Sequence, residues 1–190
     1  YPAENWQQYL TNDSVIVWNK MIVSGHSQGG GHAGIIGKFH DVAGVVMFAA
    51  MDWLAFLNRN ADWITMPGQT PASRLYGFTH YRDASVESNK QITTWRNYGM
   101  LGSLVNVDTT SPPFANSHTF TTFLPPAFDT TNFHGSVAVS VYTPLATNGT
   151  PVYAPLWEYM MRGGATSGVA EKENVPGAFR LEQNYPNPFN

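Results

Sequence analysis

The chain has 190 residues, enough for one domain with a substantial core, and it carries 43% hydrophobic and 14% aromatic residues. Its formal charge of −3, with Lys and Arg scattered, excludes a single-sign field that would draw nucleic acid or an anionic membrane, and no apolar run is long enough to span a bilayer. The absence of cysteine excludes disulfides, thiol nucleophiles and thiolate metal sites.

In chain order, residues 4–20 are polar and aromatic and read as the end of a helix and a loop. The apolar run Met21-Ile22-Val23, stopped by Ser24-Gly25, suits a buried parallel strand. Residues 28–39 place Ala33, Ile35, Ile36 and Phe39 among glycines, as in a helix packed very close to a sheet. Residues 42–50 predict a second buried strand, 75–78 a third, and the β-branched and aromatic run 118–124 a fourth. Residues 86–98 and 151–161 are helix candidates, the latter begun by Pro151. Strands alternating with helices predict an α/β fold, mostly parallel with flanking helices, whose functional residues follow the strands. After Arg162 the Gly-rich texture predicts a linker over 163–178.

Gly25-His26-Ser27-Gln28-Gly29 matches Gly-x-Ser-x-Gly between a strand and a helix. There a serine on a strained turn leaves its hydroxyl exposed, and flanking glycines avoid collision. The backbone N–H of Gln28, at the helix start, faces charge developing on a substrate oxygen. A helix-capping Ser27 is the plainer alternative. With its neighbours Gly30 and Gly31, this run resembles the α/β-hydrolase superfamily, in the branch of bacterial lipases and cutinase-like polyester hydrolases. The resemblance covers residues 21–161 and corresponds to the second half of that fold, so residues 1–162 are expected to form the carboxyl-terminal half of a catalytic domain. It implies that earlier strands, and the loop supplying the second oxyanion donor, precede Tyr1, and that the 190-residue segment alone is inactive and prone to aggregate.

The resemblance implies a triad in the order Ser, Asp or Glu, His. Asp83 follows the third strand where the family places its carboxylate, with Asp52 as the alternative and a helix cap or surface ion pair as the bland role for either. Among six histidines, chain order sets aside His26, His32, His40 and His80 as the base. His118 begins a strand and belongs at the amino edge, whereas His134 follows that strand by a loop and precedes the last helix. The expected catalytic set is Ser27, Asp83 and His134. Met51, Trp53, Trp63, Tyr81 and Phe133 flank these positions and are expected to line an apolar substrate pocket, or else to pack a core or lid. The implied activity is carboxylic-ester hydrolysis on a small or polymeric ester. An amidase of the same fold, and a catalytically silent surface binding module, remain open. No metal or cofactor is expected, since His26 and His32 are off the spacing of a helical zinc pair.

The tail Phe179-Arg-Leu-Glu-Gln-Asn-Tyr-Pro-Asn-Pro-Phe-Asn190 resembles the start of the sorting domain used in bacterial type IX secretion. That resemblance implies export by the secretion machinery of a Gram-negative bacterium, to the cell surface or medium.

Overall fold

The computed structural model describes residues 5–164. Most of the linker and the whole sorting-like tail lie outside the described residues. Five strands form one sheet in the order β1 (Ile22–His26), β2 (Gly44–Phe48), β5 (Leu75–His80), β7 (Thr119–Thr122), β6 (Val105–Asn106), and every pair in it is parallel. A short antiparallel hairpin, β3 (Trp53–Leu54) with β4 (Arg59–Asn60), stands apart. The α/β arrangement expected from the alternation of apolar runs is therefore present. None of the described helices is long and apolar enough to cross a membrane.

Alternation along the strands splits the core into two layers. Val46 and Phe48 of β2 and Tyr76 and Phe78 of β5 face Leu156, Tyr159 and Met160 of helix α3 (Ala154–Met161). Val45, Met47 and Leu75 face the opposite side, with Trp95 and Tyr98 of α2 (Ser88–Tyr98) and Ala33 of α1 (Gln28–Phe39). Side chains pointing to alternate faces of a strand require this division.

Helix α1 forms despite its five glycines because most of them serve packing rather than propensity. An added Cβ at Gly30 would lie 2.3 Å from the Ala50 Cβ, and one at Gly37 would lie 2.6 Å from Val45 Cγ2. Gly30, Gly34 and Gly37 recur at helical spacing and form the buried face, so the helix lies directly on β1 and β2. Each glycine costs about 1 kcal/mol relative to alanine in a helix interior, and tertiary contact supplies the compensation.

Strand β6 and the β3–β4 hairpin carry no sequence signal long enough to detect, being two residues each. Residues 6–9 and 18–20 form 3₁₀ turns rather than the end of an α-helix. The first strand runs to His26, past the Ser24-Gly25 stop read from the sequence, because β2 continues to pair with it as far as Phe48. It lies at one edge of the sheet, with Ile22 exposed.

Two histidines belong to the buried framework. His118 donates through Nδ1 to the Leu75 carbonyl at 2.9 Å and stacks on Tyr76, at the amino edge of the sheet. His80 donates through Nε2 to the Leu124 carbonyl at 3.0 Å and accepts at Nδ1 from the Arg82 N–H. Burial pushes both imidazoles below the ordinary value of 6.5. A depressed histidine disfavours the proton in the folded state, so the unfolded chain binds more protons once pH drops below that value. Stability is therefore full above about pH 6.5 and falls as pH descends through the lowered folded values. Urea midpoints are expected to be lower at pH 5.5 than at pH 7.5, with a weaker dependence in His118→Gln; equal midpoints in the parent protein would contradict this account.

Candidate active site

The turn between β1 and α1 is built by steric exclusion. Ser27 has φ 56° and ψ −126°, a region that L-residues avoid at a cost of order 1–3 kcal/mol. Its N–H donates to the Phe48 carbonyl at 2.9 Å, which ties the turn to the end of β2. The Ser27 side chain makes no hydrogen bond into the first turn of α1, so it does not act as the helix cap. Its carbonyl accepts from the N–H groups of Gly30 and Gly31, while the Gln28 N–H has no acceptor among the described residues.

The two motif glycines do different work. A Cβ at Gly25 would meet the backbone of Gly29 at 2.2 Å, whereas one at Gly29 would meet nothing within 4 Å. Only the first is required by close approach. Gly25→Ala is expected to destabilise by about 3 kcal/mol or more, because the atoms it strikes are backbone. Gly29→Ala is expected to be neutral or to add up to about 1 kcal/mol through helix propensity. Urea denaturation of both variants checks the contrast, and equal destabilisation would overturn it.

On the far side of β2, Asp83 follows β5 in a tight turn and its carboxylate is fully buried. Oδ1 accepts from the backbone N–H groups of Ser85 (3.0 Å) and Val86 (3.1 Å). Oδ2 accepts from Gln91 Nε2 and from His134 Nδ1, each at 2.8 Å. Four donors around one carboxylate satisfy a buried charge and aim the fourth, the imidazole. Because Oδ2 accepts, the His134 Nδ1 carries the proton and its Nε2 holds a free lone pair when the ring is neutral. Nε2 has no hydrogen-bond partner among the described residues, and the side chain is 16% exposed.

His134 opens a short 3₁₀ turn, Gly135–Val137, after the long loop that follows β7. Its carbonyl accepts from His26 Nε2 at 2.9 Å, and the two rings lie 4.6 Å apart. His26 is the residue before Ser27, so His134 touches directly the strand that leads into the Ser27 turn. Ser27 and His134 make no hydrogen bond to each other.

Asp52, the alternative acid, accepts from Trp63 Nε1 at 2.8 Å and packs over Gly31. Of the expected pocket residues, Tyr81 is exposed and stacks on Phe123 with ring centroids 4.5 Å apart. Phe133, beside His134, packs on His80 with ring centroids 4.6 Å apart, and the Arg82 guanidinium lies 5.8 Å from its ring centroid. Met51 and Trp53 are half-buried in the segment after β2. Trp63 is placed against Gly34 and edge-on to Tyr98, in the layer between sheet and helices.

Comparison with family models, curated proteins and solved structures finds no match to this chain. The site is therefore read from its own geometry. Two contributors escaped the sequence reading. Gln91 lies eight residues beyond Asp83, on a helix that the sequence predicts without saying which face meets the acid. His26, by residue type a base or metal-ligand candidate, instead contacts a backbone carbonyl 108 residues away.

Proposed function

We propose that the chain carries the catalytic triad of an α/β-hydrolase that cleaves carboxylic esters, with Ser27 as nucleophile, His134 as base and Asp83 as its orienting acid. The observation that carries this reading is the Asp83–His134 hydrogen bond at 2.8 Å, formed across 51 residues, with His134 in turn bonded to the residue preceding a serine of positive φ. A surface binding module has no use for a buried carboxylate aimed at an imidazole, nor for a strained serine whose hydroxyl caps nothing.

In this reading the His134 Nε2 accepts the Ser27 Oγ proton as Oγ bonds to the acyl carbon, and the carbonyl oxygen becomes an oxyanion facing the Gln28 N–H. The imidazolium, stabilised by Asp83, returns the proton to the departing alcohol. Water repeats the sequence to release the acid. The proton transfer requires Ser27 Oγ and His134 Nε2 to come within hydrogen-bond reach when substrate binds. Tyr81 and Phe133 would offer apolar surface to the acyl or alcohol part. The tail at 179–190 extends the proposal to export by type IX secretion, on its sequence string alone.

The direct test is fluorophosphonate labelling of the full-length protein, with the modified residue mapped by mass spectrometry. Modification at Ser27 and hydrolysis of a short-chain aryl ester are expected; an unlabelled, folded protein would reject the reading. Parallel assays on the matching amide separate esterase from amidase.

A further inference from the structure

Resting on the hydrolase reading, we propose that His26, inside the Gly-x-Ser-x-Gly motif, is a positioning residue that fastens the backbone of the catalytic histidine to the nucleophile strand. The His134 side chain is held from the β5 side by Asp83. Its main chain is held from the β1 side by the His26 Nε2–H donating to its carbonyl at 2.9 Å. The two anchors thus reach the residue from strands that flank β2 in the sheet.

That second anchor is needed because the residue arrives on a long connection. Twelve positions separate the end of β7 from the turn that His134 opens, and that stretch holds no strand or helix. A hydrogen bond from the side chain next to Ser27 converts the position of a loop into a position measured from the nucleophile. Misplacement of a reacting group by about 1 Å can cost about 10²-fold in rate. His118 and His80 also donate to backbone carbonyls, but the acceptor of His26 belongs to the proposed base itself, whose ring lies 4.6 Å away.

The charge state suits the role. Burial is the largest influence on His26 and pushes it below the ordinary histidine value, the neighbouring His134 acting in the same direction, while the His134 carbonyl and Asp83 oppose it. A neutral His26 keeps its Nε2–H as donor without placing a second cation beside the imidazolium that the reaction forms. The groups that act on it are thus the base and the acid of the same triad.

The test uses the full-length protein and three variants. His26→Gln keeps an N–H near the Nε2 position, His26→Leu removes it, and His26→Asn is polar but too short to reach. Leu and Asn are expected to lower kcat and the fluorophosphonate labelling rate by about 10²-fold with little change in KM. Gln is expected to stay within about tenfold of the parent, a difference of about 1.4 kcal/mol. Thermal melting separates loss of fold from loss of position, and the Asn variant serves if the Leu variant does not fold. A labelled parent with unaffected Leu and Asn variants, or with a folded Gln variant no better than Asn, would overturn the proposal. A parent that is not labelled at Ser27 would instead sink the hydrolase reading beneath it.

Discussion

Ser27→Ala is expected to lower ester turnover by about 10⁶-fold, leaving only the rate that binding and the oxyanion donor sustain. No other hydroxyl stands on the strained turn at the start of α1, and in the proposed mechanism Oγ is the atom that forms the acyl bond. The variant keeps the backbone strain, since alanine is no happier than serine at φ 56° and ψ −126°. Ser27→Gly is the informative companion. Glycine adopts that region freely, so this variant is expected to be more stable than the parent by on the order of 1 kcal/mol while equally inactive. Greater stability coupled to lost turnover is the signature of strain retained for chemistry. Turnover of the alanine variant within tenfold of the parent would exclude Ser27 as nucleophile.

Asp83→Asn is expected to lower turnover by about 10⁴-fold, the scale on which a triad loses activity when its histidine is held in the wrong tautomer. The present carboxylate accepts from the His134 Nδ1–H and from Gln91 Nε2 through one oxygen. An asparagine amide directed at Nδ1 would donate instead, which places the ring proton on Nε2, where it blocks uptake of the Ser27 proton. Removing the charge also leaves donors from Ser85, Val86 and Gln91 competing for one carbonyl oxygen. The matched control is Asp52→Asn, which touches Trp63 rather than His134 and is expected to keep turnover within about tenfold. Steady-state kinetics on one aryl ester decides between them; equal losses, or a larger loss at Asp52, would reassign the acid.

Features of this molecule that depend on short-range pattern are legible along the chain. Gly25 to Gly31, set between an apolar run and a helical one, marks the Ser27 turn, because a strained strand-to-helix junction needs particular residues within a few positions of each other. The core strands expected at 42–50 and 75–78, which form at 44–48 and 75–80, are legible for the same reason, being apolar enough to announce burial on both faces. Position relative to the last core strand distinguishes His134 from His118, since parallel strands send their carboxyl ends to one side and their amino ends to the other. What remained open was every question of which distant groups meet. Asp83 and Asp52 both follow a strand, and nothing local distinguishes them. The turn after β5 buries one against His134, whereas α1 packing carries the other to Trp63. The same limit hid Gln91 and the bond from His26 to the His134 carbonyl. It also hid the separate duties of Gly25 and Gly29, alike in the motif and unlike in space. A hydrogen bond between residues a hundred positions apart leaves no periodicity to read. Only the closing of the sheet and its two covering layers brings such groups within reach.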